Sequence, residues 1–174
     1  MTNPEAPQLA HSSTSGSPLR GDFGLQRGTG LAMAVVRYGT LSRWGHACIA
    51  VSDAVAGYID IVEAMPNGVR LRRSRVDEWV WSNIPLTDVQ RDAIAAGARN
   101  DLDKGYDWPA IGMFILRWFG AKITRGSKDH PDDNEMCSEA VDWHYRDDAG
   151  VDLKPGYAPN TVSPGDLAQY LVEH

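Results

Sequence analysis

The sequence predicts an α+β domain in which a small antiparallel sheet precedes most of the helices. Strand-like segments fill the middle of the chain, at about 45–52, 58–65, 69–76 and 79–86. The turns between them are short, as at 52–53 and 66–68, and short connections favour antiparallel neighbours. Helical patterns follow from residue 87 onward, and this segregation of strands from helices is typical of α+β folds.

The first 20 residues differ in composition from the rest of the chain. They are rich in Ser, Thr, Pro and Gly and contain few large apolar side chains, so their burial cannot offset the entropy lost on ordering. We therefore expect a flexible tail over 1–20 and one folded domain over 21–174, a length that requires no second core. His11 lies in the tail and is not expected to belong to a site.

Five segments carry helix signals. Thr87 and Gln90 have the spacing of a capping box, and Ile94 and Ala98 continue an apolar stripe. Pro109 stands in the first turn of an apolar segment that we expect to be a buried helix. The predicted helices span about 30–38, 87–102, 108–120, 137–148 and 163–170.

The balance of charge argues against one class of function. The 174 residues include 17 Lys and Arg against 23 Asp and Glu, a net charge of −6, which does not suit an electrostatic nucleic-acid binder. A local basic run over 69–76 alternates arginines with apolar residues. That alternation predicts the solvated face of an edge strand.

The apolar segments predict no membrane span. The longest, at 111–116, is far short of the roughly 20 residues that cross a bilayer. The N-terminus lacks a basic segment followed by an apolar one, so no signal peptide is expected and we expect a soluble protein. The two cysteines, Cys48 and Cys137, neither imply nor exclude a disulfide.

Cys137 is the leading candidate for a reactive group. It stands in DDNEMCSEAVDWHY, where a polar loop gives way to a predicted helix. The unpaired N–H groups and the dipole of a helix N-terminus favour an anion, and this lowers the pKa of a thiol. The sequence therefore predicts a cysteine nucleophile at this position.

Two predicted strands carry the other parts of such a site. Alternation places His46 on the same face of its strand as Cys48, and Glu63 on the same face as Ile59 and Ile61. A carboxylate on an apolar stripe needs a partner, because an unpaired buried charge is costly. A thiol, an imidazole and a group that orients the imidazole together make a cysteine-nucleophile site. Taken singly, each residue also fits a purely structural role.

Four other candidates fit the sequence pattern less well. His144 lies on the same helical face as Cys137 but about 10 Å along the axis, so we expect a packing or surface residue. Cys48 lacks a helix N-terminus and is expected to be a small buried hydrophobe. The acidic stretch at 129–135 lacks the calcium-loop pattern. A zinc site finds no ordinary ligand spacing among its candidates, His46, Cys48, His130 and Cys137.

Six short segments, taken in order, resemble a known family. They are GDF at 21–23, GHACIAV at 45–51, VEAMPNGV at 62–69, KGYDW at 104–108, MCSEAV at 136–141 and TVSPGDL at 161–167. Together they resemble the circularly permuted NlpC-type papain-fold hydrolases, a superfamily that includes the lecithin:retinol acyltransferase-like proteins. The resemblance covers about residues 21–170 and implies a small antiparallel sheet packed against helices.

The resemblance also implies roles for particular residues. Cys137 would be the nucleophile at the head of a helix, His46 the base and Glu63 the group that orients His46. Tyr106 and the backbone N–H groups of Cys137 and its neighbour Ser138 would form the oxyanion and substrate pocket. Relatives often have Ser before the catalytic His, where this chain has Gly45, a minor departure.

Two functions follow as expectations. The first is a cysteine hydrolase that cleaves an amide bond of a cell-wall peptide, or an acyl ester, and needs no metal or organic cofactor. The second is a non-catalytic structural or docking subunit, because tailed bacteriophages encode some members of the family. In that case residues 1–20 would contact other phage structural proteins. The protein would be cytoplasmic or virion-associated.

Overall fold

A five-stranded antiparallel sheet organises the chain, and it confirms the α+β architecture expected from the sequence. The computed structural model describes residues 17–27, 42–65, 68–102, 105–106, 134–135, 137–157 and 162–171. The predicted helices at 30–38 and 108–120, the acidic stretch at 129–133 and tail residues 1–16 lie outside the described residues.

The strand order is β4-β3-β2-β1-β5. The strands are β1 (Phe23–Gln26), β2 (His46–Ala50), β3 (Tyr58–Met65), β4 (Gly68–Arg75) and β5 (Val80–Trp81). The arginine-rich strand β4 therefore lies at an edge of this sheet, as its alternation predicts. A separate parallel ladder joins β6 (Gly105–Tyr106) to β7 (Asn134–Glu135).

Two strands differ from the sequence-based expectation. The sequence of β1 has no alternating pattern that would predict a strand, yet β1 lies between β2 and β5 in the sheet. β5 has only two residues instead of the expected 79–86, and a 3-10 turn at Val76–Glu78 precedes it. Beyond it, Ile84 and Leu86 are buried among the core side chains without joining a strand.

The helices follow their predicted signals closely. They are α1 (Asp88–Asn100), α2 (Cys137–Trp143), which continues as a π-helical turn (His144–Asp148), and α3 (Pro164–Leu167). The capping box of α1 is present, with the Gln90 N–H donating to Thr87 Oγ1 and the Thr87 N–H donating to Gln90 Oε1. Gly150, at φ +67°, ends the π-helical turn, and its N–H donates to the Arg146 carbonyl.

The two faces of the sheet carry different cores. We call the first the helical face: it packs against α1 and α2 through Ala47, Ile49, Val62, Ile94 and Val141. We call the second the tryptophan face: it carries Cys48, Ala50, Ile59, Ile61, Trp79 and Trp81. Each fully buried aliphatic side chain contributes about 1.5–3 kcal/mol to stability, so both faces hold the sheet together.

The segment before β1 is fixed to the domain by polar contacts. Arg91 of α1 pairs with Asp22 at 2.7 Å, and both side chains are fully buried. The Tyr145 hydroxyl donates to the Gly21 carbonyl at 2.6 Å. Pro18 is buried, and its carbonyl accepts the Ala54 N–H at 3.2 Å. Residues 17–20, which their composition groups with the tail, therefore contact the folded domain.

None of the helices in the described ranges is both long enough and apolar enough to cross a membrane.

Candidate functional site

His46 and Glu63 form a buried pair on the tryptophan face. His46 is the first residue of β2 and Glu63 lies near the end of β3, so the antiparallel pairing brings both to the same end of the sheet. The His46 Nε2 atom lies 3.0 Å from Glu63 Oε2. Each residue is only 2% exposed. The structure thus brings together two of the residues that the sequence singles out.

The second oxygen of Glu63 is held by two arginines of the edge strand. Arg70 lies directly opposite Glu63 in the β3–β4 register. Arg70 donates to Glu63 Oε1 from Nη2 at 2.8 Å and from Nε at 3.0 Å. Arg72 donates to the same oxygen from Nε at 2.9 Å. We call Arg70 and Arg72 the arginine clamp.

His46 and the clamp together decide the ionisation of Glu63. Burial alone would raise the pKa of this carboxyl group, because a low-dielectric environment disfavours its charged form. Hydrogen bonds from His46, Arg72 and Arg70, together with electrostatic attraction to His46, outweigh burial and lower the pKa to about 2. Glu63 is therefore a carboxylate at any ordinary pH, and it accepts hydrogen bonds from all its partners.

A chain of contacts leads from the clamp back to the imidazole. Arg72 Nη1 lies 3.3 Å from Glu78 Oε2, which also accepts the Ser74 hydroxyl at 2.7 Å. The Trp79 indole N–H donates to Ser74 Oγ at 2.9 Å. The Trp79 ring in turn packs beside the His46 ring, with the centroids 5.7 Å apart. The imidazole is thus held on its edge by Glu63 and on its side by Trp79.

Cys137 is the first residue of α2, as the sequence predicts. Its side chain lies outside the described part of the structure. α2 packs through Val141 against the helical face, whereas His46 and Glu63 lie on the tryptophan face. The axis of α2 and the His46–Glu63 pair therefore lie on opposite faces of the sheet, and a Cys137–His46 contact would require the two to meet at the end of the sheet where β2 begins.

Tyr106 and Ser138 are placed differently with respect to Cys137. The backbone of Tyr106 pairs with that of Glu135, two residues before Cys137. This ladder places Gly105 and Tyr106 alongside Asn134 and Glu135, which shortly precede α2 in sequence. Ser138 is fully buried, and its hydroxyl donates to the Val162 carbonyl at 2.8 Å. Its side chain thus fixes α2 to the segment before α3, and only its backbone N–H remains a candidate for a pocket.

Cys48 and His144, the alternatives to Cys137 and His46, lie in surroundings that fit a structural role. Cys48 is 2% exposed and belongs to the tryptophan face, as expected of a small buried hydrophobe. His144 is buried between two carboxylates, with Nε2 2.8 Å from Asp101 Oδ2 and Nδ1 2.7 Å from Asp148 Oδ2. Burial alone would lower the pKa of His144, but these two carboxylates raise it. His144 therefore links the end of α1 to the π-helical turn.

The arginine clamp is the part of the site that the sequence analysis did not predict. The alternation of β4 identifies an edge strand but assigns its arginines to solvent.

The described residues include no cluster of three or more His, Cys, Asp or Glu side chains suited to hold a metal ion.

No family model matches the chain, and no curated protein matches it either. The resemblance to the permuted NlpC-type hydrolases therefore rests on the six short segments and their order.

Proposed function

We propose that the protein is a cysteine hydrolase with a permuted papain-like arrangement, in which Cys137, His46 and Glu63 act together. The observation that carries the proposal is the buried His46–Glu63 pair, 3.0 Å between Nε2 and Oε2. An imidazole fixed by a permanently ionised carboxylate is the arrangement that a nucleophilic thiol needs for activation. The substrate class is an amide bond of a cell-wall peptide or an acyl ester.

The pairing assigns a task to each ring nitrogen of His46. Glu63 accepts a hydrogen bond from Nε2, so this nitrogen carries a proton in the neutral ring and Nδ1 is the basic nitrogen. His46 Nδ1 takes the proton from the Cys137 thiol. The thiolate then attacks the substrate carbonyl, a carbon–sulfur bond forms, and the carbonyl π electrons move onto oxygen.

The remaining steps return the proton and release the product. The tetrahedral intermediate collapses, the carbon–nitrogen or carbon–oxygen bond breaks, and the leaving group takes the proton from His46. A water molecule, deprotonated by His46, then attacks the thioester and displaces the Cys137 sulfur. Backbone N–H groups at the start of α2, with Tyr106, stabilise the oxyanion in both halves of the reaction.

Three backbone relations support this assembly. His46 starts β2 and Glu63 nearly ends β3, so the pair lies at one end of the sheet. Cys137 starts α2, where the N–H groups of a helix N-terminus favour a thiolate. The β6–β7 ladder aligns Tyr106 with Glu135, close in sequence to Cys137.

The test is a hydrolysis assay on both substrate classes, purified muropeptides and short acyl esters. We expect activity from the full chain and a loss of roughly a thousandfold or more in Cys137→Ala and His46→Ala. Cys48→Ala is the matched control, because it removes the other thiol, and it should keep most of the activity. Absence of hydrolysis of both classes by the wild-type chain, or full activity in Cys137→Ala, would overturn the proposal.

A further inference from the structure

We propose that Arg72, assisted by Arg70, is a positioning residue for the His46 imidazole and acts through Glu63. The inference rests on the proposed function, which makes His46 the base. It assigns a role in the site to the arginine clamp, whose residues the sequence alone would place in solvent.

The first argument is geometric. A carboxylate rotates easily about its last side-chain torsion, because that torsion has a broad energy profile. Three N–H groups of the clamp converge on Glu63 Oε1, from Arg70 at 3.0 and 2.8 Å and from Arg72 at 2.9 Å. With Oε1 held in this way, Oε2 is the oxygen presented to His46 Nε2. The clamp therefore fixes the direction from which the ring is held.

The second argument concerns the proton on the ring. A buried carboxyl group without cationic partners tends to be protonated. A protonated Glu63 would donate its hydrogen to Nε2 and thereby favour the ring tautomer with hydrogen on Nδ1. That tautomer cannot accept a proton from a thiol at Nδ1. Together with His46, the hydrogen bonds of the clamp keep Glu63 ionised, and an ionised Glu63 keeps Nδ1 basic.

Arg72 is less exposed than Arg70 and has further partners. Its guanidinium also contacts Glu78 Oε2 at 3.3 Å and lies 6.0 Å from the centre of the Trp79 ring. Its side chain is 31% exposed, whereas that of Arg70 is 44% exposed. Because Trp79 also packs against His46, Arg72 contacts both groups that hold the imidazole. We therefore expect Arg72 to matter more than Arg70.

The test uses NMR on the isotopically labelled full-length protein, so it does not depend on knowing the substrate. The carbon shift of the Glu63 carboxyl reports its ionisation, and the nitrogen shifts of His46 report the tautomer. In Arg72→Gln we expect the Glu63 titration midpoint to move upward by about one pH unit or more. Near neutral pH, where Glu63 stays ionised, the fraction of neutral ring with hydrogen on Nε2 should also fall, because Oε1 is less firmly held and Oε2 is no longer fixed toward Nε2.

Arg73→Gln is the matched control. Arg73 lies between Arg72 and Ser74 on the same strand but points to the other face, where its guanidinium lies 5.7 Å from the Tyr58 ring. Its loss should leave both readouts unchanged. If Arg72→Gln does not fold, Arg70→Gln gives the same readouts with a smaller shift, since Arg70 is more exposed. Unchanged midpoint and tautomer in the folded clamp variants would overturn the inference.

Kinetics separates this inference from the proposed function. With an active wild-type protein, Arg72→Gln should lower kcat roughly tenfold with little change in KM, since the clamp acts on the base and not on substrate binding. If the wild-type chain hydrolyses nothing while the NMR changes occur as expected, the proposed function is overturned and the positioning of His46 is supported.

Discussion

Glu63 and Arg70 are direct partners across β3 and β4, and the carboxylate at this position also reaches His46 on the neighbouring strand. One side chain therefore connects three adjacent strands at one end of the sheet. A carboxylate with partners on both sides cannot be removed without affecting both. This connection is the basis for several of the predictions below.

The two thiols should differ in reactivity. Cys48 is buried on the tryptophan face, whereas Cys137 starts a helix, which lowers the pKa of a thiol. Limited iodoacetamide at about pH 6.5 should therefore label Cys137 well before Cys48, as measured by peptide mapping. His46→Ala should slow the labelling of Cys137. Faster labelling of Cys48 would contradict the assignment of the nucleophile.

Glu63→Gln should lower turnover less than Cys137→Ala or His46→Ala. The amide keeps the shape of the carboxylate but loses its charge, so it weakens control of the tautomer and leaves the proton acceptor in place. In a comparable triad the orienting residue costs roughly fiftyfold less than the nucleophile or base. The comparison needs kcat for the three variants, with circular dichroism to confirm that each is folded. An equal loss would mean that Glu63 acts directly on the substrate or that another residue orients His46.

The same substitution should reduce stability in a pH-dependent way. The folded-state pKa of Glu63, about 2, lies below its ordinary value of 4.5. Its contribution is therefore present above about pH 4.5 and is lost as the pH falls toward 2. Removing one partner of a buried ion pair costs roughly 3–5 kcal/mol. Urea unfolding should show this difference near neutral pH and a smaller one in acid; a constant difference would contradict it.

The stability that His144 contributes should depend on pH in the opposite direction. Its pKa is raised above the ordinary value of 6.5, so its ion pairs with Asp101 and Asp148 stabilise the fold fully below about pH 6.5. That stabilisation is lost as the pH rises through the folded-state pKa. The difference in unfolding free energy between the wild type and His144→Gln should shrink from acidic to alkaline pH. A difference that grows with pH would show that His144 is neutral in the folded protein.

Removal of residues 1–16 separates the enzyme from the structural alternative. The truncated chain keeps the contacts that Pro18 and Arg20 make before β1, so we expect it to keep its thermal stability. An enzyme should also keep its hydrolytic activity. A docking subunit should lose co-sedimentation with its native assembly. Loss of assembly, without hydrolysis of either substrate class, would favour the structural role.

Local signals made part of the fold predictable. The capping box at Thr87 and Gln90 is a bond between near neighbours, so the sequence places the start of α1 accurately. β3 has eight residues with clear alternation and was predicted at its observed bounds. β1 has four residues that include Gly24, and its position depends on pairing with distant β2 and β5. Such long-range pairing leaves no pattern in a short segment.

The arginine clamp was missed for a related reason. Alternation places Arg70 and Arg72 on one face of β4, but the residues opposite them depend on the strand register. The observed register pairs Met65 with Gly68 and so places Arg70 opposite Glu63, and a register shifted by two residues would place Arg72 there. Either register brings an arginine to Glu63. The turn signal and the alternation together were therefore enough to predict an arginine beside this carboxylate.

The position of β4 at the edge of the sheet has a consequence for association between molecules. The side chains of β4 alternate, so Arg70 and Arg72 lie on the tryptophan face, whereas Arg73 and Arg75 lie on the opposite face of the sheet. An identical strand that added to this edge would bring arginines against arginines, and like charges on adjoining strands repel. The charges that organise the candidate site thereby also discourage the growth of the sheet into aggregates.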